Sequence, residues 1–394
     1  MEYTNEMLEE MQKRRKFNKQ VALWLKKYVE EPQIPLSGSH IPTVIIDPET
    51  GEIVTSIKYN LKIYNRAERI LHCLDNWNWD TYHKAKIMDL KRVNLCHDIH
   101  FCPNCKILET CKYIHKMSNI YKSMLSEGYH FYFLTLTVPS IHATDDDSLR
   151  LYVDKLCKNF SKLKVLYSSD KSNKNSFSKR SIDFDGGIRV LEITHNDKSG
   201  YHPHLHCIIA SKNKIPAALL KPKYKAKYSR KRKKVDYKNE VECELAKIWT
   251  LIHYGCYRVS NYDNYIYDPR YTHPIIKGRK REDIKNLEVN FRELDPNGFK
   301  ETFSYVVKSS EITSYPIFKQ MYIALIGRHV RQAFGCMYDK KLDVSTAEFR
   351  KESLPPECIE ETPESLFVHR MEELYTVWAD YKKISRINTK MVSY

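Results

Sequence analysis

The sequence predicts an α+β fold, in which helices pack on one central antiparallel sheet and helical regions lie toward both ends of the chain. The first observation is the order of the elements, because residues 130–310 predict a strand, a helix, two strands, a helix, a strand and a helix. The second is that turn-forming residues, 196–200, separate two of these strands, which therefore pair locally as a hairpin. The third is the apolar run at 130–138, which is the strongest strand candidate in the chain.

The segments before this region predict helices and one hairpin. Residues 5–31 have apolar side chains at helical spacing among charges, and residues 65–90 also indicate a helix. Residues 43–57 predict a hairpin, because two apolar segments flank the turn-forming residues 47–51. A segment rich in cysteine and histidine spans 96–115, and a helix is expected at about 113–127.

The remaining elements follow from the same periodicities. Beyond the first strand we expect a helix at 145–167, a polar loop at 168–176, a helix at 240–251, a strand at 287–291, and helices at 297–310 and 318–333. Four parts are predicted: an N-terminal region of helices and a hairpin (1–90), a cysteine-rich zinc segment (91–118), a core domain (119–335) with a basic insertion at about 214–285, and a C-terminal helical tail (336–394).

Composition narrows the class of partner. The chain has 394 residues and a formal net charge of +16, which favours a polyanionic partner, either nucleic acid or an anionic membrane. No apolar run approaches the roughly 20 residues that span a bilayer, so no membrane association is expected. The polar, acidic N-terminus is not typical of a secretory signal, and the eleven cysteines are scattered. We therefore expect a cytoplasmic protein with reduced thiols.

Three histidines share one face of a predicted strand. Residues 201–210 predict a strand, because apolar residues continue past the histidines without helical spacing. Side chains alternate along a strand, so His202, His204 and His206 point the same way. Histidines at this spacing also occur as ordinary polar residues on half-exposed strands. Their alignment is nevertheless a preformed partial site for a divalent metal.

A carboxylate can complete this site. If the strand at 187–194 and the histidine strand form a hairpin centred near Lys198, Glu192 lies opposite His204 on the same face. Two imidazoles and one carboxylate suit Mg²⁺ or Mn²⁺ and leave positions open for a substrate oxygen. We predict a metal site of His204 and His206, with Glu192 or His202 as the third ligand.

The predicted helix at 297–310 places three reactive side chains on one face. Residues three and four apart share a helical face, so Glu301, Tyr305 and Lys308 line one side. A tyrosine hydroxyl with a pKa of about 10 is a poor nucleophile, but a nearby cation can activate it. Glu301 could accept a proton from a hydroxyl or a water. Such residues are also common on surfaces, so spacing alone does not establish catalysis.

Cysteines at 96–111 have the spacing of a zinc site. Cys102 and Cys105 form a Cys-x₂-Cys pair, with Cys96 and Cys111 on either side of it. We predict a structural Zn²⁺ held by these four thiols. The alternative is a set of ordinary buried or exposed thiols in a loop beside a helix.

Two segments combine high positive charge with tyrosines or with glycine. Cations contact phosphates, and aromatic rings stack on unpaired bases, so we expect these segments to bind DNA. The alternative is a pair of solvated loops. The expected contact residues are Lys223, Lys225, Lys227, Arg230, Lys231, Arg232, Lys233, Lys234, Arg279, Lys280 and Arg281.

Three segments, taken in order, resemble the motifs of one family. Residues 133–137 resemble its first strand motif, 200–206 its metal-binding motif, and 305–308 its Tyr-x-x-Lys motif. On these residues the chain resembles the rolling-circle plasmid replication initiators, within the His-hydrophobic-His (HUH) endonuclease superfamily. The resemblance covers about 96–335 and implies the HUH endonuclease fold for the core domain.

Two further segments and one substitution refine the resemblance. Residues 95–105 resemble the cysteine-rich stretch of the large initiators, which favours Cys96, Cys102 and Cys105 over Cys111 as zinc ligands. Residues 324–328 resemble the segment after the tyrosine helix of these proteins. Because position 309 is serine, the paired-tyrosine pattern of some relatives is absent. Glu301 matches the single-tyrosine branch, in which a glutamate replaces the second nucleophile.

The resemblance implies a nickase and strand transferase. Tyr305 would attack a DNA phosphodiester and leave a 5′-phosphotyrosyl enzyme and a free 3′-OH that primes synthesis. His204 and His206 would hold the metal, Lys308 would balance the added negative charge, and Glu301 would activate a water for the closing cut. The implied partners are a plasmid origin, single-stranded or extruded as a hairpin, and the host helicase and polymerase.

Other functions remain open from the sequence. Within the same superfamily, a transposase or a conjugative relaxase is the nearest alternative, although relaxases place the tyrosine ahead of the histidines. A non-enzymatic, zinc-containing DNA-binding regulator is an alternative from another class. A metalloenzyme that hydrolyses small phosphates fits the positive charge less well.

Overall fold

A computed structural model gives the fold of this chain. It describes residues 5–31, 45–46, 53–54, 57–84, 87–170, 180–229, 234–255, 287–295, 311–338, 362, 364–368 and 386–388. The chain forms two compact units, of which unit 1 comprises Met1–Lys116 with Leu342–Tyr394 and unit 2 comprises Met117–Lys341. None of the helices in the described ranges combines the length and the apolar character that a membrane span requires.

The helices and strands are numbered in chain order. They are α1 (Asn5–Glu30), β1 (Ile45–Ile46), β2 (Ile53–Val54), α2 (Ile57–Leu71), β3 (Trp77–Tyr82), β4 (Ile87–Val93), α3 (Pro103–Ser126), β5 (His130–Thr137), α4 (Ser148–Leu166), β6 (Gly186–Asn196), β7 (Gly200–Ser211), α5 (Ala217–Leu220), β8 (Tyr224–Ser229), β9 (Lys234–Lys238), α6 (Glu240–His253), β10 (Val289–Glu293), α7 (Tyr315–Leu325), β11 (Arg331–Gly335), β12 (Glu364–Val368) and β13 (Arg386–Asn388).

Unit 2 is built on a five-stranded sheet. The strand order is β10-β5-β7-β6-β11, and every neighbouring pair is antiparallel. Together with α4, α6 and α7, this sheet confirms the predicted α+β organisation around a central antiparallel sheet. The long hairpin of β6 and β7 occupies the middle of the sheet, so each of its strands has a neighbour on both sides.

Helix α4 covers one face of this sheet. Arg189 of β6 lies opposite Cys207 of β7, so the two side chains share a face, and the Arg189 guanidinium donates to the Cys157 thiol of α4. Cys207 is completely buried on this face. Because side chains alternate along a strand, His204 and His206 must point to the opposite face.

Helix α6 protects the edge strand β10. Asn239 and Glu242 form a capping box at the start of the helix. The Glu242 carboxylate also accepts the backbone N–H of Phe291 in β10, and Asn239 donates to the Phe291 carbonyl. These bonds satisfy edge groups that would otherwise be open to pairing with another strand. Helix α6 falls within the predicted basic insertion, yet it belongs to the packing of the sheet itself.

Gly200 is required where the β6–β7 turn enters β7. Its φ is +75°, and a Cβ at this position would lie 2.2 Å from the Ile141 carbonyl oxygen. The same carbonyl accepts the Tyr201 N–H at 2.8 Å. An alanine at this position would therefore have an unfavourable φ. Its Cβ would also clash with the Ile141 carbonyl oxygen, which cannot move away without breaking the hydrogen bond from Tyr201.

We expect Gly200→Ala to destabilise the protein by at least about 2 kcal/mol, as measured by chemical denaturation. Gly128→Ala is the matched control, because Gly128 also has a positive φ, of +84°, but has no atom within 4 Å of an added Cβ. Equal losses in the two variants would contradict the proposed steric contact with Ile141.

Unit 1 contains a helix pair and a smaller sheet. Helices α1 and α2 pack together, and Lys26 and Glu68 form an ion pair across them at 2.6 Å. The sheet has the order β12-β3-β4-β13, in which β13 is parallel to β4 and the other pairs are antiparallel. The predicted helix at 5–31 and hairpin at 43–57 are confirmed by α1 and by the antiparallel pair β1–β2.

The predicted helix at 65–90 is wrong beyond Leu71. Leu74 has a φ of +70°, a conformation that a helix cannot continue, and the chain then enters β3 and β4. Strand β3 is rich in tryptophan, threonine and tyrosine, which favour strands. Helix α3 begins at Pro103 rather than near 113, since proline is well suited to the first helical position.

Two predictions near the C-terminus are also corrected. The predicted helix at 318–333 is helix α7 followed by β11, because Gly327, with a φ of +69°, ends the helical run. The described parts of the predicted helical tail are the strands β12 and β13, which pair with β3 and β4. The predicted helix at 297–310 lies outside the described residues.

Candidate metal centre

Two groups of side chains in the described residues can hold a metal ion. One consists of Glu192, His204 and His206, and its ligand atoms lie within 4.8 Å of one another. The strand register brings them together, because Glu192 pairs with His204 across the β6–β7 ladder and Val190 pairs with His206. The predicted position of Glu192 opposite His204 is confirmed.

Both imidazoles of this group converge on one carboxylate oxygen. The Nε2 atoms of His204 and His206 lie 2.7 Å and 2.8 Å from Glu192 Oε2. Glu192 is only 3% exposed and His206 7%, whereas His204 lies closer to solvent. A buried carboxylate with two imidazoles on one oxygen is a preorganised set of three ligand atoms.

The second nitrogen of each ring has its own partner. His204 Nδ1 lies 3.1 Å from the carbonyl oxygen of His202, which can only accept, so Nδ1 carries the proton. His206 Nδ1 lies 3.2 Å from the Thr135 hydroxyl. In a neutral His204 ring, Nε2 therefore presents a lone pair toward the Glu192 carboxylate. Such a contact needs a proton or a cation between the two groups, and a divalent cation fits this donor set.

The electrostatics keep the carboxylate ionised. Burial by itself would raise the pKa of Glu192, but when His204 and His206 are protonated their hydrogen bonds and charges outweigh burial and lower the pKa to about 2. A cation bound between these groups favours the carboxylate in the same way. Glu192 is thus a carboxylate at neutral pH, which is the form that binds a metal. Two nitrogens and one oxygen would leave further coordination positions of a bound divalent ion open to water.

His202 lies beside the group and does not belong to it. Its Nδ1 lies 3.1 Å from the Ser140 hydroxyl, and its ring centroid is 5.3 Å from that of His204. Burial, and then repulsion from His204, lower the pKa of His202. Of the two predicted third ligands, the structure therefore brings Glu192 and not His202 to the ligand atoms.

Thr135 supports the orientation of His206, and its hydroxyl can be removed without changing the shape of the side chain. We expect Thr135→Val to weaken Mn²⁺ binding about 10–100-fold, because partners of this kind fix the orientation and tautomer of a ligand ring. Isothermal titration calorimetry with Mn²⁺ measures the change. Thr137→Val is the matched control, since Thr137 lies opposite His204 but its hydroxyl donates to the Glu288 carbonyl. Equal losses in both variants would contradict the positioning role.

The predicted catalytic residues of the tyrosine helix lie outside the described residues. They are Tyr305, Glu301 and Lys308. The next described residue is Glu311, whose carboxylate accepts the backbone N–H of His195 at 2.9 Å. His195 lies on β6, three positions after Glu192.

The predicted DNA-binding residues are described only in part. Lys223 is exposed and its Nζ lies 2.6 Å from Glu240 Oε1. Strands β8 and β9 pair as an antiparallel hairpin, and they include the backbones of Lys225, Lys227 and Lys234. The predicted contacts outside the described residues are Arg230, Lys231, Arg232, Lys233, Arg279, Lys280 and Arg281.

The second group of possible ligands consists of four buried cysteines in unit 1. Its members are Cys73, Cys96, Cys102 and Cys105. Three of them were predicted, and Cys73 is a fourth thiol that the prediction did not include. The side chain of Cys111, the other predicted ligand, lies outside the described residues. The sequence prediction missed Cys73 because it lies well upstream of the cysteine-rich segment.

Comparison of the chain with protein-family models, with curated proteins and with solved structures finds no match. A function for this chain is therefore inferred from the geometry of the metal centre and from the order of the sequence motifs around it.

Proposed function

We propose that the chain is a metal-dependent DNA nickase and strand transferase of the HUH type, which initiates and ends rolling-circle replication of a plasmid through a 5′-phosphotyrosine intermediate. The single observation that supports this most strongly is the convergence of Glu192, His204 and His206 on the middle strands of a five-stranded antiparallel sheet. The motif order, with a strand before this site and Tyr305 after it, gives further support.

The ligand set favours catalysis over a structural role for this metal. Structural sites are usually closed by four protein ligands, whereas catalytic sites keep positions open. A divalent cation bound by Glu192, His204 and His206 would withdraw charge from a non-bridging phosphate oxygen and orient the phosphate. The remaining chemistry belongs to side chains of the chain itself.

In this proposal Tyr305 supplies the nucleophile. Its phenolate oxygen forms a bond to phosphorus while the P–O3′ bond breaks, which leaves a 5′-phosphotyrosyl protein and a free 3′-OH. Lys308 balances the added negative charge. Glu301 accepts a proton from the water that attacks the phosphotyrosine in the closing step, which releases the protein without a second tyrosine.

Chain connectivity is compatible with this assignment. Glu311, bound to β6 through His195, follows Tyr305 by six positions. Covalent geometry limits the separation of their Cα atoms to about 22 Å. This limit is compatible with an attack by the Tyr305 phenol on a phosphate held at Glu192.

The charge of the chain suits the proposed substrate. A net charge of +16 and the basic hairpin that β8 and β9 form would attract the phosphate backbone of an origin presented as a single strand or an extruded hairpin. Replication would then need a host helicase and polymerase to extend the free 3′-OH. A transposase or relaxase would share the chemistry and differ in the DNA that it cleaves.

The direct test is covalent capture of DNA. The full-length protein is incubated with Mn²⁺ and a labelled single-stranded DNA library with a randomised central segment. The proposal expects a covalent protein–oligonucleotide adduct that survives denaturation, with the nucleotide mapped to Tyr305 by peptide mass spectrometry. Tight, salt-sensitive DNA binding without any strand cleavage would refute the proposal and leave a DNA-binding regulator in its place.

A further inference from the structure

Four cysteine sulfurs in unit 1 form a compact, buried cluster that the nicking chemistry does not use. Cys105 Sγ lies 3.7 Å from Cys73 Sγ and 3.5 Å from Cys96 Sγ, and Cys102 Sγ lies 3.6 Å from Cys73 Sγ. Four thiolates at about 2.3 Å from one zinc ion stand roughly 3.8 Å apart in a tetrahedron. The observed separations therefore match a single tetrahedral ion.

Two residues that directly follow cysteines of this cluster have an unusual backbone conformation. Leu74 and His97, which directly follow Cys73 and Cys96, have φ values of +70° and +55°. They are the two residues other than glycine with positive φ in the described part of the chain, and each conformation is unfavourable for a bulky side chain. Both therefore need compensation from their surroundings, and both turn the chain directly after a cluster thiol.

The other two thiols lie at the start of a helix. Cys102 precedes α3 and Cys105 lies in its first turn, where free backbone N–H groups and the helix dipole favour a thiolate. Thiolate is the form that binds a metal.

Polar N–H groups surround the sulfurs. The backbone N–H of Asp98 donates to Cys96 Sγ at 3.5 Å, and the side-chain amide of Asn18 donates to Cys102 Sγ at 3.3 Å. Asn18 is fully buried on α1. Donors of this kind stabilise negative sulfur and are typical of the surroundings of metal-bound thiolates.

A disulfide and an iron–sulfur cluster fit the positions of these sulfurs less well. A disulfide requires an S–S distance of about 2.05 Å, and all four residues are free thiols. Cys102 and Cys105 both approach Cys73, and Cys105 also approaches Cys96, so no single pairing stands out. An iron–sulfur cluster places several irons and inorganic sulfides between its thiolates, whereas these ligand atoms all lie within 4.8 Å of one another. This separation leaves room for one ion.

We propose that Cys73, Cys96, Cys102 and Cys105 bind one structural Zn²⁺ ion in unit 1, separate from the site of Glu192, His204 and His206. Four protein thiolates close the coordination shell, so this ion has no position for a substrate. It joins the end of α2, the loop after β4 and the start of α3. The zinc proposal does not depend on the proposed nickase activity.

The first test measures metal content in the full-length protein after gel filtration in chelator-free buffer. The proposal expects one zinc per chain in the wild type and loss of nearly all of it in Cys73→Ser. Cys157→Ser, which removes a thiol on α4 in unit 2, is the matched control and should retain one zinc. Cys111→Ser should also retain zinc, which separates this ligand set from the one that sequence spacing predicts.

A second measurement covers the case in which Cys73→Ser fails to fold. Wild-type protein reconstituted with Co²⁺ should show thiolate-to-cobalt charge transfer and the visible bands of a tetrahedral four-sulfur site. Cys73→His, which keeps a ligand, should retain a tetrahedral site with a shifted spectrum.

Several outcomes would overturn the proposal. They are soluble wild-type protein with only trace zinc, iron in place of zinc, disulfides among these cysteines in intact-mass analysis, or zinc loss in Cys111→Ser with retention in Cys73→Ser. None of these measurements uses strand cleavage. Failure of the zinc proposal would therefore not affect the nickase proposal, and failure of the nickase proposal would not affect the zinc proposal.

Discussion

Tyr305→Phe should reduce strand cleavage by at least about 10⁴-fold and abolish the covalent adduct, because phenylalanine lacks the oxygen that would attack phosphorus. DNA affinity should change little, since the ring that could stack on a base is kept. Cleavage of a labelled single-stranded oligonucleotide, followed on a denaturing gel, measures the first effect. Fluorescence anisotropy of the same oligonucleotide measures the second.

Tyr338→Phe is the matched control for this experiment. Tyr338 is 72% exposed at the end of the β11 segment, and losing its hydroxyl should leave cleavage within about 2-fold of wild type. If Tyr305→Phe cleaves at the wild-type rate, another residue is the nucleophile and the assignment from the Tyr-x-x-Lys motif is wrong.

His206→Ala should abolish metal-dependent cleavage and weaken Mn²⁺ binding by more than about 100-fold, because it removes a ligand rather than a partner of a ligand. It also leaves the buried Glu192 carboxylate with one imidazole in place of two. Mn²⁺ titration followed by electron paramagnetic resonance reports affinity independently of cleavage. Far-ultraviolet circular dichroism of the same sample checks that the sheet is intact.

His202→Ala serves as the control on the same strand face. The His202 ring contacts Ser140 instead of the converging ligand atoms, so its loss should weaken Mn²⁺ binding by less than about 10-fold. If His202→Ala and His206→Ala weaken Mn²⁺ binding equally, the ligands of the metal are not Glu192, His204 and His206.

The position of Glu192 could be predicted because local rules determine it. Asn196, Asp197 and Gly200 favour a tight turn, and strand alternation then fixes which residue of β6 lies opposite His204. The choice between Glu192 and His202 could not be made from sequence. It depends on Ser140, which reaches His202 from a separate segment.

Other features depend on contacts between residues far apart in the chain. Cys73 belongs to the cysteine cluster, and Leu74 turns the chain directly after it. The sequence does not reveal this turn, because its helical spacing predicts a helix that continues past Leu74. The strands β12 and β13 are short, and their pairing with β3 and β4 joins distant parts of the chain. Local periodicity contains no information about such partners.

The pairing of β12 and β13 determines the order in which the protein can fold on the ribosome. Unit 2 is encoded between the two parts of unit 1, so all five strands of its sheet are translated before β12. In the nascent chain, β3 and β4 lack these outer neighbours until residues 364–388 leave the exit tunnel. Because domains generally fold as units during synthesis, the sheet with the histidine site would form first, and the four-stranded sheet would close last.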